Sequence, residues 1–306
     1  MFISVIVTAY NRRTYIMDAL KSVLDQTLDR EKWEMIVVKN FSDDAVDSLL
    51  VENGIKNIIM EGAIGEFLYE GVKNSKGEVI SFLDDDDIFL REKLESVFGL
   101  FSADSKLVCY HNDSLVCNSN LTVKDRSRIT KNPAFNLSSI SIRKSAINLD
   151  NLKKIWATPD VFMLLSAKEI GGKVKVGKSV QTFYRVNTES TQTSKFENFD
   201  QYVKNKIKVL KPAYTQLLEF SNFFHTRRAT VTLRRYQLAS YSYLLIFSGS
   251  GRAKLGECVR AITLIPSFLS EGGISTLVNL LISRMPGYFK RKYLFYLYRR
   301  EERYKT

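Results

Sequence analysis

Apolar runs and helical periods alternate along the first part of the chain. Ile3-Ser-Val-Ile-Val-Thr-Ala9 carries the β-branched content of a strand. The loop Tyr10-Asn11-Arg12-Arg13 follows, and Thr14 is placed to cap a helix whose apolar positions Ile16, Leu20, Val23 and Leu24 recur at helical spacing. Trp33 to Val38 predicts a second strand, followed by a polar loop (39–44), a short helix and a third strand near Lys56–Met60. Gly62 and Gly65 open a helix through Phe67, Leu68, Val72 and Lys73 that Gly77 ends. Val79-Ile-Ser-Phe-Leu83 then reads as a buried strand. This alternation predicts a mostly parallel α/β sheet with right-handed crossovers.

Further along, Lys106–Tyr110 predicts a strand, residues 112–131 a hairpin, and Ser138–Arg143 another strand. Trp156-Ala-Thr-Pro-Asp160 leads into a helix that runs to about Glu169 and stops at Gly171-Gly172. Val180–Val186 returns as a strand, and the Ser-, Thr- and Asn-rich stretch 187–196 marks a loop or boundary. From about Asp200 only helical periods remain, as in Val203, Ile207, Leu210, Tyr214 and Leu217. Ser248-Gly-Ser-Gly251 separates helices at 239–245 and 253–265, a pair with the look of one tetratricopeptide repeat. A lone repeat cannot bury its own face, so this pair predicts a helical hairpin docked on other structure. Pro266 and Pro286 bracket Leu277–Ile282, an apolar segment suited to a core or a partner surface. The expected domains are 1–198, α/β, and 199–306, an all-helical extension.

Charge sharpens the picture of that extension. The 306 residues carry 45 Lys+Arg against 33 Asp+Glu, a net +12. Residues 284–306 hold eight Lys/Arg and two Glu, half of the excess. Tyr288, Phe289, Tyr293, Leu294, Phe295, Tyr296, Leu297 and Tyr298 lie among these cations. Rings at headgroup depth with cations on anionic lipid suit a membrane interface. A terminal helix packed on its own domain would use the same residues. No nucleic-acid module accompanies the basic stretch, so nucleic acid is not an expected partner. No leader and no uninterrupted apolar stretch of spanning length is expected. Cys109, Cys117 and Cys258 are odd in number and lack metal-ligand spacing, which fits a reducing compartment. His111 and His225 read as structural. The expected place is cytoplasmic, peripheral on the cytoplasmic face of a membrane.

The chemistry concentrates in Asp84-Asp85-Asp86-Asp87, immediately after the fourth strand. Open α/β sheets bind ligands at the carboxyl ends of their strands. Four adjacent carboxylates call for a counter-charge, and a divalent cation bridging a phosphorylated ligand supplies one. An acidic helix start before Leu90–Leu94 is the plainer alternative, which one Asp would satisfy.

Four separated motifs over residues 2 to about 192 give this chain a resemblance to family 2 glycosyltransferases of the GT-A fold. They are Ser4-Val-Ile-Val-Thr-Ala-Tyr-Asn-Arg12, Gly77-Glu-Val-Ile-Ser-Phe-Leu-Asp-Asp-Asp-Asp87, Ser138-Ser-Ile-Ser-Ile-Arg-Lys-Ser145, and Pro159-Asp160 followed by a helix, Gly171-Gly172 and Tyr184-Arg185-Val186. The resemblance implies an inverting transferase that moves a sugar from a nucleotide-diphosphate donor to an acceptor hydroxyl, on a glycan or a lipid-linked molecule. It implies Mn2+ or Mg2+ at a DxD motif, with Asp86 as direct ligand, Asp84 on the ribose or a metal-bound water, and Asp87 in support. Asp85 falls at the variable position and is expected to face solvent, near the nucleotide. Thr8, Ala9, Tyr10, Asn11, Arg12, Asn40, Asp43 and Arg185 are the remaining expected donor contacts, and Trp156 is placed to stack on an acceptor sugar. Asp160 matches the general base, and the helix amides there are expected to lower its pKa.

Three positions depart from the family pattern. Lys39 and Asn40 stand where two Asp are usual, and Lys cannot accept from a base N–H. Leu68-Tyr69 replaces an Arg-Asn pair, which leaves Arg12 or Arg185 to face the diphosphate. Asn187 stands where His is common. These departures keep open a non-catalytic scaffold of the same fold. A sugar nucleotidyltransferase is the other alternative, although Thr8–Arg13 lacks the glycine-rich phosphate loop it would need. The helical segment leaves room for a homodimer.

Overall fold

A computed structural model gives the fold, and it describes residues 1–118, 121, 136–185, 196, 198–249, 251–264 and 273–305. Their contacts divide them into two compact units, one from 1–186 and 223–229, the other from 187–222 and 230–306.

The first unit is built on an eight-stranded sheet of order β3-β2-β1-β4-β7-β6-β8-β5. Strands β1 (Ile3–Ala9), β2 (Trp33–Lys39), β3 (Lys56–Ile59) and β4 (Val79–Asp84) are parallel, linked through α1 (Ile16–Leu24), α2 (Asp44–Glu52) and α3 (Ile64–Lys73). All seven residues of β1 are buried, as expected of a strand covered on both faces. After β4 come β5 (Ile88–Phe89), α4 (Lys93–Ala103), β6 (Leu107–Cys117), β7 (Ile140–Arg143), α5 (Leu149–Leu152), α6 (Pro159–Glu169) and β8 (Lys173–Arg185). β7 runs antiparallel to both β4 and β6, whereas β6 and β8 are parallel. The sheet is therefore mixed and mostly parallel.

Several boundaries differ from expectation for local reasons. β6 continues through the start of the expected hairpin as far as Cys117, and residues 119–120 and 122–131 of that hairpin lie outside the described residues. β8 begins at Lys173 rather than Val180, because its first half is mostly exposed and carries three lysines, which mask the apolar signal. Gly177 belongs in that strand because any Cβ there would overlap the Tyr110 ring. The two-residue β5 pairs with β8 and was not expected at all. Tyr15, not Thr14, occupies the N-cap of α1 and makes no side-chain cap bond.

The second unit holds α7 (Phe199–Glu219), most of α8 (Arg227–Phe247), α9 (Leu255–Leu264), α10 (Gly273–Ser283) and α11 (Gly287–Lys305). α8 and α9 flank the break at 248–251, while Pro266 lies outside the described residues. Tyr202, Ile246, Phe247, Leu294, Leu297 and Tyr298 form one core cluster, and Leu238, Leu245, Ala253, Cys258, Ala261 and Leu280 form a second. No helix among the described residues is long and apolar enough to cross a membrane.

Candidate active site

The carboxyl ends of β1, β2 and β4 converge by register: Thr8 lies opposite Asp84, and Ala9 opposite Lys39. The loops beyond are clamped to each other. The Asn11 amide donates to Asn40 Oδ1 at 2.8 Å, and Asn40 Nδ2 donates to Asn11 Oδ1 at 2.8 Å. Asn11 holds φ 57°, a left-handed value that Asn tolerates better than most residues. Tyr10 beside it is exposed, its ring tilted toward that of Phe67 with centroids 6.0 Å apart. Lys39 is fully buried and paired with Asp47 Oδ1 at 2.7 Å and the Phe41 carbonyl at 2.5 Å, so its departure from the family pattern serves packing. Asp43 caps α2 by accepting from the Val46 amide at 3.1 Å. Leu68 is fully buried in α3, which suits an apolar residue at this position.

The four acids form a tight turn in which the Asp87 amide donates to the Asp84 carbonyl at 3.2 Å. The Asp84 amide donates to Ser138 Oγ at 3.0 Å, and Asp87 Oδ1 accepts from the Arg185 amide at 2.9 Å. Asp85 does not face solvent: it is 2% exposed and gripped through both oxygens by the Arg12 guanidinium, with Arg12 Nη1 also 2.6 Å from Asp86 Oδ2. The correction has a simple cause. The turn folds the variable position inward onto a cation 73 residues earlier in the chain.

Burial drives the protonation of this cluster. It pushes Asp84 well above the usual carboxylate range, helped by its three acidic neighbours and opposed by Arg12. Burial also raises Asp85 to about 7 against the pull of Arg12. Asp87 reaches about 7 through burial and the Asp86 charge, opposed by Ser138 and the Arg185 amide. So many reluctant carboxylates around one guanidinium leave a site short of positive charge. Among the described residues no three His, Cys, Asp or Glu side chains converge as a complete ligand set. A Mg2+-like ion needs no such set, since one or two carboxylates plus the phosphates of a nucleotide suffice. The residues present fit that mode of binding.

Lys93 is a participant that the sequence did not single out. It is fully buried, and its ammonium donates to the Ser138 carbonyl and to Thr182 Oγ1 (3.1 Å) while lying 3.7 Å from the Phe89 ring centroid. Burial holds its pKa well below the ordinary lysine value, opposed by the charge of Asp87. In sequence it is an unremarked lysine in a charged helix start.

Asp160 stands in the first turn of α6, after Pro159 and an N-cap Thr158 at φ 51°. A β-branched residue rarely adopts that conformation. Contrary to expectation the Asp160 carboxyl is raised, to about 6, because burial outweighs the Val161 and Asp160 amides that lower it. The Tyr184 phenol is pushed up by burial and then by Asp87, Asp86, Asp84 and Asp160. One side chain thus lies within electrostatic range of both the acid cluster and Asp160. Arg185 is buried, its guanidinium on Asp18 Oδ2 at 3.0 Å and over the Tyr15 ring. Trp156 is 41% exposed and so is not a core tryptophan.

A mixed, mostly parallel α/β sheet with an acid turn at the end of its fourth strand and a carboxylate at a helix start has the architecture of the GT-A class. The model of Glycosyl transferase family 2 matches residues 4–160, just over half of the chain, and the chain belongs to that family. It is 34% identical over 100 residues to the putative teichuronic acid biosynthesis glycosyltransferase TuaG of Bacillus subtilis, covering 30% of this chain and 39% of TuaG. The chain spans about a third of the length of curated relatives of this kind. Staphylococcus aureus TarS (residues 1–349, in complex with UDP) superposes with TM-score 0.55 at 16% identity, covering 92% of this chain and 90% of that one. A mannosyltransferase from Pyrobaculum calidifontis in complex with GDP-Man and Mn2+ gives 0.56 at 13% identity, covering 92% and 85%.

Proposed function

We propose that the chain is a metal-dependent, inverting glycosyltransferase that transfers a sugar from a nucleotide-diphosphate donor to an acceptor hydroxyl. The observation that carries the reading is the acid turn at the end of β4, with Asp85 and Asp87 held near 7 and Asp84 above its usual range. Asp86 and Asp84 would hold Mn2+ or Mg2+, with Asp87 in support. The ion, when bound, neutralises charge developing on the leaving diphosphate. Thr8, Ala9, Tyr10, Asn11, Arg12 and Asn40 line the donor side. Asp43 supports it from the cap of α2, and Arg185 backs the turn through its amide. Asp160 accepts the acceptor's hydroxyl proton as that oxygen bonds to the anomeric carbon and the carbon–phosphate-oxygen bond breaks on the opposite face. A pKa of about 6 leaves Asp160 ionised at neutral pH yet basic enough to take the proton. Trp156 stacks on the acceptor sugar.

The similarity to a teichuronic acid enzyme supports a cell-envelope glycan or a lipid-linked precursor as acceptor. The exposed aromatic and basic face of α11 supports a peripheral position on the cytoplasmic face of an anionic membrane. Lys39 and Leu68, which favoured a scaffold, are buried, and the retained acids and Asp160 support catalysis instead. The test measures Mn2+-dependent hydrolysis of UDP-, GDP- and dTDP-sugars by the wild type and by Asp86→Asn. The variant should lose metal-dependent turnover. Full turnover by Asp86→Asn would refute the metal assignment, and no donor hydrolysed by the wild type would refute the donor reading.

A further inference from the structure

Two helices of the second unit expose what a water-soluble helix buries. On α9 the inward positions are small, Cys258 and Ala261, whereas Leu255, Val259 and Ile262 are 67%, 53% and 55% exposed. On α10 Thr276, Asn279 and Ser283 are fully buried alongside Leu280, whereas Ile274 and Leu281 are 59% and 47% exposed. The spacings of i, i+4, i+7 on α9 and i, i+7 on α10 put each exposed set on one helix face.

The buried polar groups of Ser283 and Asn279 are satisfied inside the unit. Ser283 Oγ accepts from the Ala253 amide at 3.0 Å and donates to the Leu280 carbonyl at 2.6 Å. Asn279 donates to Ser242 Oγ at 3.3 Å and accepts from the Tyr293 hydroxyl at 2.9 Å. The helices are thus settled with aliphatic side chains outward. This arrangement suits apolar surroundings and works against solubility in water.

α10 packs against both α9 and α11. α11 buries Leu294, Leu297 and Tyr298 and exposes Tyr288, Phe289, Phe295 and Tyr296, with Arg291, Lys292 and Arg299 exposed among them. Lys292 lies 4.6 Å from the Tyr288 ring centroid and Arg299 5.2 Å from that of Phe295. A recess of about 450 Å³ opens between the starts of α7 and α11, where Arg291, Lys292 and Asp200 meet Phe199, Tyr288 and Phe295.

This chemistry selects one occupant. A second copy of the chain could cover the apolar stripes, but it would meet the cationic α11 face with the same charge. An anionic bilayer takes both, aliphatic side chains among its acyl chains and rings with cations among its headgroups.

We propose that α9 and α10 insert their exposed apolar stripes into an anionic bilayer while the aromatic and basic face of α11 rests at headgroup level. This deepens, and rests on, the reading of the protein as a peripheral membrane enzyme. Insertion and surface attraction separate by salt, because on the order of 1 M salt screens charges beyond about 3 Å.

The experiment floats the full chain with vesicles of phosphatidylcholine alone or mixed with phosphatidylglycerol, at low salt and after a shift to high salt. The wild type should bind the phosphatidylglycerol vesicles and stay bound at high salt. Val259→Ser combined with Ile262→Ser should bind at low salt and be released at high salt. These positions are exposed, so the serines leave the fold and donor hydrolysis intact. Arg291→Glu with Lys292→Glu should cut low-salt binding at least tenfold.

Complete release of the wild type at high salt, matching the serine variant, would overturn insertion while leaving surface binding in place. No vesicle binding by the wild type would overturn both. A dimer in light scattering that the serine variant dissociates, with vesicle binding unchanged, would assign the stripes to a second copy instead.

Discussion

At the scale of single residues, Asp160 is held where ionisation is costly. Its carboxyl sits at about 6 against an ordinary 3.8. The protonated form is favoured by folding, so this stability is present below 3.8 and is lost as pH rises through 6. Above that pH the ionised side chain costs at most about 3 kcal/mol. Asp160→Asn should therefore raise the melting temperature at pH 8 by a few degrees. It should lower kcat/KM by roughly 10²–10⁴-fold and abolish the acid limb near pH 6. Thermal melts and a pH–rate profile check both, and a destabilised or fully active variant would contradict the assignment.

Lys93 poses the complementary case of a buried cation with a short list of acceptors. Thr182→Val preserves shape and removes one of them, at an expected cost of about 1–3 kcal/mol in urea denaturation. The Asp84–Asp87 turn was legible because four acids in a row need no structure to be noticed. Lys93 was not legible, because its partner Thr182 lies 89 residues away. Asp85 was misjudged for the same reason: its environment comes from Arg12, not from its chain neighbours.

At the scale of elements, the start of α3 and the segment leading to Asp160 are packed without slack. The Gly65 amide donates to the Ile155 carbonyl at 2.9 Å, and a Cβ at Gly65 would overlap the carbonyls of Leu152 and Ile155. Gly65→Ala should lose at least about 1–3 kcal/mol by thermal denaturation, since backbone cannot yield as a side chain can. An unchanged melting temperature would show that the 152–155 segment moves freely. Gly65 reads in sequence only as a helix opener, since the close approach is made by a segment nearly ninety residues on.

Strands β1, β2 and β4 are legible in the sequence because buried strands leave long β-branched runs. The long, mostly exposed β8 and the short β5 are not, since neither has the apolar contrast on which a strand reading depends.

At the scale of the molecule, the two units differ in the polar groups their interiors hold. The first buries its apolar strands together with charged groups of the site, among them Lys39, Asp85 and Lys93. The second buries Thr276, Asn279 and Ser283 and exposes Ile274 and Leu281. In sequence Leu277–Ile282 was ambiguous between core and partner surface, because an apolar helix segment does not say which of its faces turns inward. By itself the sequence determined the alternation of strands and helices up to the fourth strand, the position of the acids at that strand's end, and the basic aromatic character of the last helix. These are properties of neighbouring residues: hydrophobic period, contiguous charge and composition. Only the tertiary structure decided that Lys39 is a packing residue, that Asp85 is buried and that Lys93 lies behind the acids. It alone decided that Asp160 is raised and that α9 and α10 turn their aliphatic side chains outward. Each of these depends on burial and on charges brought together across many residues of chain, and no local pattern encodes them.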